Sequence, residues 1–391
     1  MHILFIPSWL SVDKKDKQLG SFFMEQAEEL KKRNIEVGFL YINRISLRNY
    51  LNYLILVLSG NARYGEYQIS GINFILKPFF SLYKDFFNMK ERLNNSYISS
   101  FDLYVEKYGK PDIIHFHSMI SIGAVPELLS KKYNIPIVIT EHYSGYALKN
   151  ISDISLKEGL KNLNISSKFF AVSDFYRDNL NDLFSTNKIK TLPNNLGGLV
   201  LEKINNIKKN NKFTFVCVGN LFPVKNQKLA IYAFYKFLEK NPSAQLNIIG
   251  SGQERKRLEG IVNSFNIQNN VTFLGKLDRD QTLSEISKAH VLLVTSIVET
   301  FSVVTIEAFA LQTLVISTKC GGPEMLINQS NGIISEDEAS SYAQAMIEIY
   351  EKYDSYDLLK VQNSCIAKYS GEKISSLLES EYLDIINGKI N

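Results

Sequence analysis

The sequence predicts an α/β protein of two doubly wound domains, each a parallel sheet covered by helices on both faces. Three observations lead there. Short apolar runs bounded by turn residues alternate with longer amphipathic segments along almost the whole chain, the pattern of repeated βα units. The alternation breaks once, over 196–212, a stretch rich in Gly, Asn and Lys, and then restarts. The 391 residues leave room for two domains at about 150 residues each, and a hydrophobic content of 45% supplies two large cores.

The elements follow in order. The chain starts on an apolar strand over 2–7. The segment 22–32 carries Phe22, Phe23, Gln26 and Leu30 on one face and charges on the other, which makes it an amphipathic helix. Further strands of the first half fall near 35–42, 70–76, 112–116, 136–140, 168–172 and 188–192, with helices between them. In the second half strands fall near 213–218, 245–249, 271–274, 291–295, 314–317 and 332–334. Its helices lie near 226–240, 253–265, 280–288, 303–311 and 337–352. The division is a first domain over 1–196, a connection over 197–211, a second domain over 212–371 and a tail over 372–391 that reads as a helix.

Composition excludes several classes. The most apolar stretch, 53–58, is far short of the roughly 20 residues that span a bilayer as a helix. Three cysteines, Cys217, Cys320 and Cys365, form no disulfide framework and no zinc pattern; Cys217 and Cys320 read as small buried hydrophobes of a reducing compartment. The N-terminus shows no basic segment followed by a long apolar one, so the expected location is the cytoplasm. Net charge is +4, with 24 Lys and Arg against 19 Asp and Glu in residues 1–196. That excess suits an anionic membrane surface or a phosphorylated substrate, and equally a random surface excess; no basic cluster dense enough for nucleic acid occurs. The segments 45–58 and 79–87 are rich in leucine and aromatics. They either pack into the first core or face a membrane.

In doubly wound sheets, ligands bind at the loops that follow the carboxyl ends of strands. Gly219, Asn220 and Lys225 occupy such a loop, where a glycine admits a ligand to the backbone and a lysine beside a helix start suits a diphosphate. Gly250 opens Gly-Ser-Gly, half of a dinucleotide fingerprint; Arg255 stands where its third glycine belongs, so a tight turn lining the cleft is the better reading. Glu299 lies in the loop after the strand at 291–295, and Glu307 about two turns into the next helix. Between them the amides of Phe301, Ser302, Val303 and Val304 are the free donors of a helix start. Carboxylates accept paired sugar hydroxyls while such amides hold phosphate; the plain alternative is a helix whose early glutamates complement its dipole. The run 319–324, Lys-Cys-Gly-Gly-Pro-Glu, is another glycine-rich loop after a strand. In the first half, Gly20 ends the polar loop 11–19, and His115, His117 and His142 end strands. Alternation places His115 and His117 on one side of theirs. Asp278-Arg-Asp280 resembles a metal-holding Asp-x-Asp, but its place before a helix makes it a cap.

The ordered set of these elements resembles the family-4 retaining glycosyltransferases of GT-B architecture. The matching residues are V-G-N-L-F-P-V-K-N, I-G-S-G-Q-E, F-L-G-K-L, the E-x7-E of Glu299 and Glu307, and C-G-G-P-E in the second half. In the first half they are P-S-W, G-S-F-F-M-E-Q-A, P-D-I-I-H-F-H, T-E-H, A-V-S and L-P-N-N. The resemblance implies two Rossmann-like domains facing a cleft, with the C-terminal helix crossing back onto the first. The second domain would bind a nucleotide-sugar donor and the first a saccharide or lipid-linked saccharide acceptor. Glu307 would hold the ribose hydroxyls and Glu299 the donor sugar, with Lys225 on the diphosphate. Phe301, Ser302 and Val303 would contact sugar and phosphate, and Gly275, Lys276 and Leu277 would line the base. Gly20 and His117 would reach the diphosphate and the sugar, with His142 a further cleft residue. Asn220 stands where many relatives carry Arg, so a cation is absent there. Transfer with retention follows, the leaving diphosphate taking the acceptor proton, with neither metal nor cofactor implied.

The expected setting is cell-surface polysaccharide or lipopolysaccharide assembly, in the cytoplasm or peripherally on the inner face of its membrane. Two other readings are a sugar-nucleotide epimerase of similar fold and a sugar-nucleotide-binding scaffold without catalysis; a nicotinamide-dependent dehydrogenase is more distant.

Overall fold

A computed structural model describes residues 1–15, 19–81, 88–120 and 122–388. The chain folds into two compact units. The first comprises Met1–Val172, Arg177–Leu192 and the C-terminal stretch from Ile374; the second comprises Ser173–Tyr176 and Pro193–Lys373.

The first unit is built on eight strands: β1 (His2–Pro7), β2 (Glu36–Ser46), β3 (Gly65–Ile69), β4 (Ile72–Ser81), β5 (Ile113–His117), β6 (Ile137–Glu141), β7 (Lys168–Ala171) and β8 (Ile189–Thr191). Their order across the sheet is β3-β4-β2-β1-β5-β6-β7-β8, parallel except for β3. Every residue of β1, β5 and β6 is buried, which is why Ile, Val, Leu and Phe dominate them and polar residues enter β5 and β6 only toward their carboxyl ends. The strand β3 was not legible in the same way. It is a mostly polar edge strand, joined to β4 by the two residues Ser70 and Gly71, both at positive φ, a tight hairpin turn. In the helix Gly371–Ile386, Ile374, Leu378, Tyr382 and Ile385 form a stripe spaced by three and four residues. All four are buried in the core of Phe5, Phe39, Phe74 and Val138, each burial contributing about 1.5–3 kcal/mol.

The second unit holds β9 (Thr214–Val218), β10 (Gln245–Ile249), β11 (Val271–Gly275), β12 (Val291–Val294), β13 (Leu314–Thr318) and β14 (Gly332–Ser335). All run parallel in the order β11-β10-β9-β12-β13-β14. The core gathers Phe215, Phe234, Phe237, Ile248, Leu293 and Ile316 around Tyr342, whose hydroxyl donates to the Ile316 carbonyl at 2.7 Å. The connecting stretch is more ordered than its composition suggests. It contains the helix Gly198–Lys203, and Lys209 is driven into the back of the unit. The Lys209 ammonium donates to the carbonyls of Ala289 (2.7 Å) and Leu311 (3.2 Å), the last acceptors of two helices.

Among the described residues no helix is long and apolar enough to cross a membrane. Part of the aromatic segment at 79–87 is visible, with Phe79 buried on β4; residues 82–87 lie outside the described residues, as do 16–18 of the polar loop before Gly20.

Candidate active site

In the six-stranded sheet the connection reverses direction between β9 and β12, so the loops after these two strands diverge and leave a crevice at their carboxyl ends. The loop after β9 carries Gly219, Asn220 and Lys225, and the loop after β12 carries Glu299. The structure joins them: Lys225 Nζ lies 2.5 Å from Glu299 Oε1. Two backbone-level ties fix this juxtaposition. The Ile297 amide donates to the Val224 carbonyl at 2.8 Å, and the Thr295 hydroxyl to the Lys225 carbonyl at 2.9 Å. Ser296 Oγ donates to the same Glu299 oxygen at 2.6 Å, a contact that the sequence reading missed. The loop after β13 holds Glu299 from the other side. The Glu299 amide donates to the Cys320 carbonyl (2.7 Å), and Gly322 donates back to the Glu299 carbonyl (2.8 Å). A Cβ on Gly322 would stand 2.5 Å from the backbone of Phe301, so glycine is required there.

The Gly-Ser-Gly turn is spent on packing loop against loop. A Cβ on Gly250 would come within 1.9 Å of the Gly219 carbonyl oxygen, and Leu221 N donates to the Ser251 carbonyl at 2.9 Å. The Gly250 amide donates to the Gly275 carbonyl at 2.8 Å, which links the loops after β9, β10 and β11 in series. Lys276 is exposed and Leu277 half-buried on the last of these; Asn220 is exposed and supplies no charge.

Ser302 precedes the helix Val303–Ala310 in the left-handed region, at φ 74°, a conformation that costs a non-glycine residue about 1–3 kcal/mol. The Thr305 amide closes onto the Ser302 carbonyl at 3.0 Å, and Val303 and Val304 stand where a helix start leaves its amides without intrahelical partners. Glu307 is the fifth residue of this helix, one turn in and not two, and is buried. Its Oε1 lies 2.5 Å from Nη2 of Arg279, itself 15% exposed. Arg279 was passed over because the Asp278-Arg-Asp280 triplet was read for its acids. Those acids are engaged elsewhere. Asp278 caps its helix by accepting from the Gln281 amide at 2.8 Å, and Asp280 pairs with Lys203 at 2.8 Å. Among the described residues no group of three or more His, Cys, Asp or Glu could hold a metal ion.

The first unit brings its own candidates together. His115 and His117 lie on one face of β5, as alternation requires, and stack at 4.3 Å between ring centroids. His117 Nδ1 meets His142 Nε2 at 3.3 Å, while His117 Nε2 is buried without a hydrogen-bond partner among the described residues. His115 is locked between the Tyr382 hydroxyl (2.6 Å) and the Thr140 hydroxyl (2.8 Å). Glu141 underpins both strand ends. Fully buried, it accepts amides of Met119 (2.7 Å), His142 (2.9 Å) and Tyr143 (2.7 Å). Gly20, at φ 80°, starts the helix Ser21–Lys32; a Cβ there would meet Leu10 at 3.0 Å and the Trp9 carbonyl at 3.2 Å. The Phe23 ring of that helix packs against both His117 and His142.

Burial holds these imidazoles neutral. His115 and His117 are pushed well below the usual histidine range and His142 down to about 3; His290 of the second unit is lowered to about 4 and His2 also lowered, again chiefly by burial. A folded pKa below the unfolded one means that the unfolded chain binds more protons in between. Stability is therefore complete above about pH 6.5 and falls as pH drops toward 3. Of the four such groups in the first unit, the three on and beside β5, His115, His117 and His142, are together expected to bring the loss to about 4 kcal/mol per pH unit below pH 6. Urea unfolding at a series of pH values reads this directly; a midpoint that is flat across that window would show the histidines to be accessible to protons in the folded state.

Two sequence profiles match the chain, "Glycosyltransferase Family 4" over residues 20–195 and "Glycosyl transferases group 1" over 201–364. The chain belongs to the family-4 glycosyltransferases of GT-B architecture. It is 28% identical over 300 residues to N-acetyl-alpha-D-glucosaminyl L-malate synthase of Bacillus anthracis, covering 71% of this chain and 77% of that one. Another curated relative is matched over only 38% of its length. Among solved structures, sucrose-phosphate synthase from Thermosynechococcus elongatus aligns over 99% of both chains with a TM-score of 0.77 at 19% identity. Anabaena HepE in complex with UDP and glucose aligns over 97% of this chain and 98% of its own with a TM-score of 0.69 at 16% identity. At these identities the structural likeness speaks for the GT-B fold alone.

Proposed function

We propose that this family-4 glycosyltransferase moves a sugar, with retention, from a nucleotide sugar to a saccharide or lipid-linked saccharide. The observation that carries the reading is the Lys225–Glu299 pair at the switch point of the second sheet, beside the helix start that follows Ser302. The ammonium and the amides suit a diphosphate, Glu299 the sugar, and Glu307 the ribose. That HepE binds UDP and glucose makes a uridine nucleotide the first to try. In the reaction the bond from the anomeric carbon to the diphosphate oxygen breaks. The bond to the acceptor oxygen forms on the same face, and the acceptor proton passes to the departing diphosphate. Lys225 and the helix amides stabilise the charge that builds on that leaving group, with neither metal nor cofactor needed in this reading. Gly20, His117 and His142 are assigned to the same reaction from the first unit.

The test is thermal stabilisation by a panel of nucleoside diphosphates and nucleotide sugars, with and without magnesium, for the wild type and Glu307→Ala. A ligand at about 100 times its Kd adds roughly 2.7 kcal/mol. Selective stabilisation by one diphosphate, independent of magnesium and lost in the variant, is expected. A response to none of them would overturn the donor site. Binding without turnover across a broad acceptor set would mark a scaffold, and conversion of the donor alone an epimerase.

A further inference from the structure

The helix Tyr50–Leu58 reads Tyr-Leu-Asn-Tyr-Leu-Ile-Leu-Val-Leu and contains no buried residue. Leu47, in the turn before it, and Leu51, Ile55 and Leu58 form one stripe, exposed by 64%, 67%, 57% and 84%. Of the segment 45–58, Ile45 is buried on β2, while the stripe of the helix points away from the core. The opposite face is anchored. The Tyr53 ring packs edge-on against Phe80 of β4 at 5.1 Å and against Tyr64 at 5.6 Å, so the helix is held firmly to its sheet. Its surroundings are basic. Between Glu36 and Glu66 the chain carries Arg44, Arg48 and Arg63 and no acid. Arg44 and Arg48 are exposed on the side of the helix start. At its other end the chain at 60–63 is stitched to the loop after β1. Lys14 Nζ donates to the Gly60 carbonyl at 2.8 Å, Lys14 N to the Asn61 carbonyl at 2.9 Å, and Arg63 to the Lys14 carbonyl at 3.2 Å. Lys14 and Lys15 are exposed there.

We infer that this helix seats the first unit on an anionic lipid bilayer, its aliphatic stripe entering the acyl boundary and its flanking arginines and lysines meeting the headgroups. An apolar stripe between two basic ends is the composition of an interfacial helix, with the two tyrosines amphipathic enough for the headgroup level. A second copy of the chain is a poorer occupant. In a two-fold pairing of this face with itself, the exposed Arg44, Arg48, Lys14 and Lys15 of one copy would face the same cations of the other. Both the helix and the loop stitched to it follow carboxyl ends of strands, β2 and β1, the end at which a doubly wound sheet takes its ligand. The surface therefore narrows the acceptor to one presented at a membrane. That narrowing rests on the transferase reading; the docking itself does not.

The test is co-sedimentation of the full chain with equimolar phosphatidylcholine–phosphatidylglycerol vesicles and with phosphatidylcholine alone, at low and high salt. Binding to the anionic vesicles that weakens with salt is expected. Leu51→Asp/Ile55→Asp should weaken it by about 100-fold, and Arg48→Glu by about tenfold. These side chains are exposed, so the melting temperature of each variant should match the wild type, and nucleotide binding in solution should be unchanged. Absence of binding at low salt, or binding indifferent to the double substitution, would overturn the inference. So would a lipid-free dimer, seen by sedimentation, that the same substitutions split. Unchanged nucleotide stabilisation in a chain that ignores vesicles would remove the membrane and leave the transferase reading standing.

Discussion

Lys225→Met is expected to lower kcat by about 10²–10³-fold, the size of effect seen when one preorganised donor to a developing negative charge is removed. Asn220 supplies no cation, so Lys225 is the charge that the loop after β9 offers to a departing diphosphate. In the structure its ammonium is held by Glu299 Oε1, which keeps it at the switch point before a ligand arrives. The pair is part-exposed, with Lys225 at 31%, so it contributes at most about 1 kcal/mol to folding. The variant should then melt within about 4 °C of the wild type. Lysine also positions Glu299, and the two roles separate in a cycle. If Lys225 acts on the diphosphate in its own right, Lys225→Met/Glu299→Gln is slower than either single variant, the two losses multiplying, and Lys225→Arg recovers part of the rate. If it acts only by aiming Glu299, Lys225→Met costs nothing further once Glu299 is already Gln. Steady-state kinetics on the four proteins, with donor saturating, decides between them; a kcat unchanged in Lys225→Met would remove Lys225 from the chemistry altogether.

How far the sequence carried this picture depends on what kind of physical signal each element leaves in it. The parallel strands were legible because they are buried on both faces, so burial writes an unbroken apolar run; β12 is the plain case, buried at every position. The strand β3 left no such trace, because it is an exposed edge. The switch-point loops could be located by their glycines, and their reasons are now specific: Gly250 and Gly322 are glycines because another backbone occupies the place of a Cβ. Shared faces along one strand were also readable, as the stacked His115 and His117 show. What pattern could not supply was pairing across distant elements. Nothing in the spacing joins Lys225 to a Glu299 oxygen, Tyr382 to His115, or Arg279 to Glu307, since each contact exists only once loops and helices from separate βα units have packed. The helix Tyr50–Leu58 is the remaining kind of case. Its composition was plain, but the face that it turns outward is set by which aromatic rings anchor it.

The Arg279–Glu307 pair leads to the larger effect on stability. Glu307 is 3% exposed and Arg279 15%, so each ion was desolvated on folding and is compensated by the other at 2.5 Å. Removing one partner strands a buried charge, at a cost of about 3–5 kcal/mol. Arg279→Met is therefore expected to lower the melting temperature of the second unit by roughly 10 °C. Removing both charges should cost much less, because the uncompensated ion is gone. Arg279→Met/Glu307→Gln should recover most of that loss, while Glu307→Gln alone leaves a guanidinium facing an amide and falls between. Donor binding should follow a different order. If the carboxylate of Glu307 accepts ribose hydroxyls, both variants that lack it lose affinity for a ribonucleoside diphosphate relative to its 2′-deoxy analogue, however well they fold. Arg279→Met keeps the carboxylate but not its aim, so its donor KM should rise about tenfold or more with kcat little changed, and Arg279→Lys should restore part of it. Calorimetric melting of the variants together with ribose-to-deoxyribose affinity ratios separates the two roles. Stability restored in the double variant with the ratio still collapsed places Glu307 on the ribose. A ratio that never moves would make the pair a strut of the fold, and the ribose would have to be held elsewhere.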